Sequence, residues 1–159
     1  MKYKYMKVNF ITQLLVLLML SSCVKNDVYF LYKSVDELGW HKDSVCRYDV
    51  IIEDTSALYN VYINIRNNKN YPYQNLWLFL ENQNPDSSIV KDSVECYLAD
   101  QRGKWLGSGM GSIIEMPILY QQQVKFNQKG MYQFRIVQGM RDDVLQGISD
   151  VGVRVEKLK

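Results

Sequence analysis

The sequence predicts an all-β fold, an antiparallel β-sandwich. Three observations carry that expectation. Apolar and polar residues alternate with a period of two in separate runs after residue 25. Clusters of Asn, Asp, Ser, Gly and Pro punctuate those runs at intervals suited to a sandwich. The spacing of an amphipathic helix is scarce over the same stretch.

The runs follow in order. Tyr48 to Ile52 is the first candidate strand. Val61, Ile63 and Ile65 then alternate with Tyr62, Asn64 and Arg66. Leu76-Trp77-Leu78-Phe79-Leu80 is apolar at every position, as a central strand covered on both faces would be. Val94, Cys96 and Leu98 alternate with Glu95 and Tyr97. Ile113 to Phe126 is a further candidate, broken by Pro117. Tyr132, Phe134 and Ile136 alternate with Gln133 and Arg135. Val151, Val153 and Val155 close the series. Turn clusters lie at residues 67–72, 84–88 and 127–130. Asp142 to Gln146 is expected to form a short helical turn. Jelly-roll and immunoglobulin-like connections fit this pattern equally.

The 159 residues suit one domain, and an apolar share of 47% against 23% charged permits a packed core. The first segment stands apart. Lys2, Lys4 and Lys7 precede an apolar stretch from Val8 to Leu20, which is shorter than the ~20 residues of a spanning helix. It ends in Leu20-Ser21-Ser22-Cys23, an aliphatic residue, two small residues and a cysteine. That is the build of a bacterial lipoprotein signal peptide. The small residues let a peptidase approach the backbone, and the thiol accepts diacylglycerol. Residues 1–22 are therefore expected to be removed, leaving a single domain over 23–159 held to a membrane by lipid, palmitate-type acyl chains included, on Cys23. Each buried CH₂ of such chains contributes about 0.8 kcal/mol, so several chains anchor stably. Val24 follows the cysteine, where an aspartate would hint at retention on the inner membrane. An outer-membrane location is expected, with the periplasmic and surface leaflets both open.

Removing the three leader lysines takes Lys+Arg from 19 to one fewer than the 17 Asp+Glu. The mature chain has no concentrated positive charge of the kind a nucleic-acid partner requires.

No set of residues in the sequence supplies a catalytic constellation, and the protein is read as a non-enzyme. His41, the one histidine, lies in a polar stretch without a Gly-x-Ser-x-Gly elbow elsewhere to match it. Gly107, Gly109 and Gly111 make Gly-x-Gly-x-Gly. They lack the spacing and strand–turn–helix setting of a dinucleotide site, so a glycine-rich connection, allowing positive φ or a close backbone approach, is expected. Asp86, Asp142 and Asp143 fall in no calcium-loop pattern; no metal or cofactor is expected, nor a small-molecule ligand. Cys46 and Cys96 lie on strand-like runs in a chain bound for an oxidising compartment. They either pair as a disulfide or serve as two buried thiols.

Aromatic residues make up 13% of the chain, with 12 Tyr, 5 Phe and 3 Trp. Tyr71-Pro72-Tyr73 lies in a loop near Trp77, and Trp40 and Trp105 lie in polar, glycine-containing stretches. Exposed aromatics anchor protein interfaces or stack on sugar rings, whereas in a small sandwich many fill the core. Tyr71, Tyr73 and Trp105 are the candidate partner-binding residues, on the segments Tyr71–Asn75 and Arg102–Gly109.

Four strings occur in order behind the lipid-attachment motif: Tyr71-Pro72-Tyr73-Gln74-Asn75-Leu76-Trp77-Leu78, the stretch from Ala99 to Gly109, the stretch from Gly130 to Arg141, and Leu145 to Lys157. Together they resemble the GldH family of gliding-motility lipoproteins from Bacteroidetes-type bacteria, over nearly all of the mature chain. The resemblance implies a component of the envelope machinery for surface gliding, which is linked to type IX secretion. It brings no catalytic residues with it. The role it implies is assembly or scaffolding with other envelope proteins. The residue reading leaves a second role open, a surface-tethered glycan-binding sandwich with two or more exposed aromatics at sugar-ring spacing.

Overall fold

A computed structural model describes residues 26–109 and 111–158. Cys23 and the expected leader lie outside the described residues. Ten strands follow one another among those described: β1 Asp27–Ser34, β2 Trp40–His41, β3 Cys46–Ile52, β4 Tyr59–Asn68, β5 Asn75–Gln83, β6 Ile89–Tyr97, β7 Ile113–Val124, β8 Gly130–Gln138, β9 Val144–Leu145 and β10 Ile148–Lys157. They form two four-stranded antiparallel sheets, in the orders β1-β10-β4-β7 and β3-β8-β5-β6, with β2 and β9 as a small two-stranded pair.

The two large sheets face each other across one core. The alternation read from the sequence sets which side chains enter it, because successive strand residues point to opposite faces. Val61, Ile63 and Ile65 of β4 and Val151, Val153 and Val155 of β10 are buried from one sheet. Leu76, Leu78 and Leu80 of β5 and Phe134 and Ile136 of β8 are buried from the other. A polar tie crosses between them: the buried Tyr48 hydroxyl on β3 donates to the Val151 carbonyl at 2.6 Å.

Two local expectations change, and two further features come from tertiary pairing. Pro117 does not break its run. It sits inside β7 opposite Asn64, at the outer edge of its sheet, where a missing N–H on the free side costs no ladder bond. Residues 142–146 form no helical turn, because Val144 and Leu145 pair with His41 and Trp40 as β9 against β2. Trp40 leaves its polar neighbours behind. It is 1% exposed, and its Nε1 donates to the Ser44 carbonyl at 3.0 Å. β1 joins β10 along most of its length, although only half of its residues alternate cleanly in burial.

Cys46 and Cys96 are both buried and are not joined to each other. They lie on β3 and β6, the two outer strands of one sheet, with β8 and β5 between them. Three strand spacings amount to ~14 Å, whereas a disulfide needs Cα atoms within about 7 Å. The disulfide alternative therefore gives way to two separate apolar packing residues. Burial raises both thiols, Cys96 up to about 12. At neutral pH, iodoacetamide is expected to modify neither in the folded protein and both in denaturant. Labelling of Cys96 in the folded state at its denatured rate would show that β6 opens readily.

Candidate functional site

Tyr71, Tyr73 and Trp105 come together just beyond the end of β4. The Tyr71 ring centroid lies 5.9 Å from that of Tyr73, edge-on, and 6.4 Å from that of Trp105. Their exposures divide their roles. Tyr71 is 4% exposed, and its hydroxyl donates to the Asn75 carbonyl at 2.7 Å. Burial pushes its phenol far above the ordinary range. It offers almost no surface and positions its two neighbours. Tyr73 is exposed and donates to Asp142 Oδ2 at 2.8 Å, a bond that raises its own pKa. Trp105 is half-buried and is bridged in antiparallel fashion to Ala99.

The second candidate segment is shaped by its own backbone. Asp100 Oδ1 accepts from the amides of Arg102 and Lys104, both at 2.9 Å, and so folds the turn that carries Trp105. Gly107 and Gly109 then run against β7. A Cβ on either would collide with the carbonyl of Glu115 or of Ile113. This is the close approach expected of the glycine-rich connection, and it lets Ser108 and Glu115 exchange backbone hydrogen bonds.

The sequence reading missed the surface beside this cluster. β5 is central in its sheet, but only one of its faces is covered. Leu76, Leu78 and Leu80 point inward, while Trp77 is 38% and Phe79 51% exposed on the outer face. Phe79 packs over Gly139, where a Cβ would meet its ring at 3.1 Å, and it stands opposite Val137 on β8. The Trp77 amide donates to Met140 Sδ at 3.3 Å. Tyr97, exposed on neighbouring β6, extends the same face. At one side Glu81 pairs with Lys91 at 2.7 Å and with Arg135 at 3.2 Å. An apolar patch with a charged border, on the outer face of an antiparallel sheet that would ordinarily be polar, has the make-up of a protein-binding surface. The readable signal is the unbroken apolar run 76–80, which predicts cover on both faces, whereas the outer face is exposed at Trp77 and Phe79.

The remaining candidates are scattered. His41 is exposed, with Nδ1 3.6 Å from Asp43. Asp143 pairs with Lys42 at 2.6 Å, Asp142 accepts from Tyr73, and Asp86 accepts from Ser88 and Gln128. Among the described residues no three His, Cys, Asp or Glu side chains gather as metal ligands. With Trp40 buried, the three tryptophans do not share a stacking platform.

Residues 27–155 match the family described as GldH lipoprotein. The chain is 40% identical over 148 residues to "Gliding motility lipoprotein GldH homolog" of Christiangramia forsetii, covering 89% of this chain and 90% of that protein. It is 38% identical over 151 residues to "Gliding motility lipoprotein GldH" of Flavobacterium johnsoniae, covering 91% and 93%. Similar solved structures include a fructofuranosidase from Schwanniomyces occidentalis, with a TM-score of 0.39, 10% identity and 87% of this chain covered. This chain spans 35% of that enzyme. Another is infectious bursal disease virus, with a TM-score of 0.36, 14% identity and 84% of this chain covered, against 30% of the viral chain.

Proposed function

This chain belongs to the GldH lipoprotein family, and from that premise we propose that it is a non-enzymatic assembly component of the outer-membrane gliding and secretion machinery. In this reading residues 1–22 are removed and Cys23 carries the lipid. Residues 23–159 form one tethered sandwich domain. The strand orders, first–eighth–third–sixth and second–seventh–fourth–fifth once the short β2 and β9 are set aside, support the jelly-roll alternative. The names of the relatives support a place in the gliding apparatus, and the lipid-attachment motif supports the membrane.

The observation that carries the assembly role is the exposed aromatic face of Trp77 and Phe79, with Tyr73 beside Trp77. A lipid anchor brings this face to other envelope proteins in two dimensions, so a modest apolar patch is enough to hold a partner. The test is cross-linking in intact cells, followed by recovery of the lipoprotein and mass spectrometry of what comes with it. Trp77→Ser with Phe79→Ser is expected to leave the melting temperature of the purified protein within a few degrees, since both side chains face outward. It is expected to weaken partner recovery by about 30-fold, the equivalent of a ~2 kcal/mol anchor. Full recovery with the folded double variant would remove this face from the interface.

A further inference from the structure

A second site lies on the opposite parity of β5, between the sheets. The inward residues of this strand run Leu76, Leu78, Leu80 and then Asn82. The apolar series ends in a carboxamide that is only 9% exposed, set between Val90 on β6 and Phe134 on β8. Asn82 Nδ2 donates to the Tyr120 hydroxyl at 2.9 Å. Its Oδ1 is buried and has no partner. A buried acceptor left without a donor is costly, and a core position that breaks its own pattern is expected where function demands it.

Asn82 opens into a cleft of about 330 Å³, at the lower end of the ~300–1,000 Å³ usual for small-molecule sites. The cleft exists because β6 and β7 are the free edges of the two sheets on the same side. Phe126, Tyr132 and Phe134 form its apolar wall, with Phe126 and Tyr132 edge-on at 4.7 Å. Gln121, Asn84, Asn127 and Gln128 surround it with more carboxamides. Its two charged lining residues, Asp86 and Lys125, are of opposite sign. The two turns that form its mouth are tied together, with Gln128 Nε2 donating to Asp86 Oδ2 at 3.3 Å and the Tyr132 hydroxyl bonding both the amide and the carbonyl of Gln128.

We propose that this cleft binds a neutral saccharide. A carboxamide donates and accepts at once, as a sugar hydroxyl does. The ring edges of the buried Phe126, Tyr132 and Phe134 that reach the cleft suit the C–H groups of a pyranose ring. The balanced charge favours neither an anion nor a cation. A turn of the Asn82 carboxamide toward the cleft would let its Oδ1, now buried, take the hydroxyl donor the fold does not supply. The site is separate from the outer face proposed above to hold a protein partner, so the two readings stand or fall independently.

The test is saturation-transfer NMR on the full-length lipidated protein in a detergent that lacks a sugar headgroup, with N-acetylglucosamine, maltose and lactose as millimolar probes. Saturation is expected to pass from protein aromatic protons to the ring C–H protons of at least one saccharide. Asn82→Leu extends the inward leucine series, so it is expected to keep or raise the melting temperature and to weaken that saccharide's binding at least tenfold. Gln121→Ala, on an edge strand and away from the core, is expected to weaken it severalfold and serves if the first variant does not fold. Trp77→Ser should leave it unchanged. Absence of transfer to all three probes, or transfer undiminished in Asn82→Leu and Gln121→Ala, overturns the proposal.

Discussion

Between pH 10 and 12 the protein is expected to unfold cooperatively. Two phenols and one thiol are sealed in the core with their protons on. Tyr48 is buried with its hydroxyl bound to Val151, Tyr71 with its hydroxyl bound to Asn75, and Cys96 packs with the core. Burial is the largest cause in each case. It raises Tyr48 and Tyr71 far above the ordinary phenol range and Cys96 up to about 12. In the unfolded chain the thiol ionises near 8.5 and the phenols near 10. Above those values the unfolded state binds fewer protons than the folded one, so stability falls as pH rises. Each group contributes a slope of roughly 1.4 kcal/mol per pH unit, and the three together about 4 kcal/mol per unit above pH ~10. Against a total of about 5–15 kcal/mol, that slope exhausts the stability by about pH 12. Far-UV circular dichroism melts at a series of pH values measure it directly. Tyr48→Phe separates the contributions. It removes the hydroxyl's bond to the Val151 carbonyl and is expected to cost roughly 0.5–1.5 kcal/mol at pH 8. It also removes one titrating group, so its alkaline slope should be about a third shallower. A melting temperature that stays flat to pH 11 would mean the phenols reach solvent without unfolding.

The core was legible in the sequence because period two is a strong signal wherever one face of a strand is buried. Val61, Ile63, Ile65 and Val151, Val153, Val155 enter the interior as their spacing dictates. What the spacing could not carry was the identity of the other face. Trp77 and Phe79 are apolar like Leu76, Leu78 and Leu80, and only the pairing of β5 between β8 and β6 with nothing above it shows them as surface. Contacts between distant segments were equally hidden. Trp40 sits among Gly39, His41 and Lys42, a polar stretch that leaves core and surface both open; the pairing of β2 with β9 is what buries it. The cluster of Tyr71 and Tyr73 with Trp105 was named residue by residue, yet its internal order, one buried support and two flanking rings, is a tertiary fact. Asn82 was visible as a break in an apolar series and went unread, because without the opposing β7 an asparagine near a strand end looks like the start of the turn at residue 84.

Replacing Gly147 by alanine is expected to lower the melting temperature by roughly 10 °C, and the reason can be isolated within this one protein. Gly147 has φ +84, a left-handed conformation, and a Cβ there would collide with the backbone of Tyr71. Gly103 has φ +77, and a Cβ there would meet nothing within 4 Å. Both replacements carry the left-handed cost of roughly 1–2 kcal/mol. Only Gly147→Ala must also push two backbones apart, one of them already fixed by the hydrogen bond from the Asn68 amide to the Gly147 carbonyl at 2.8 Å. Forced overlap against backbone adds about 1–3 kcal/mol, for a total near 3 kcal/mol, and a domain of this size loses roughly 3–4 °C per kcal/mol. Gly103→Ala should therefore fall by only about 4 °C. The two variants should also differ at the binding surface. Moving Tyr71 displaces the support on which Tyr73 and Trp105 rest, so Gly147→Ala should change their fluorescence and weaken partner recovery even at temperatures where it remains folded. Gly103→Ala should leave the support in place and alter only the turn that carries Trp105. Equal losses of melting temperature in the two variants would show that the left-handed cost alone governs both sites and that the contact with Tyr71 relaxes freely.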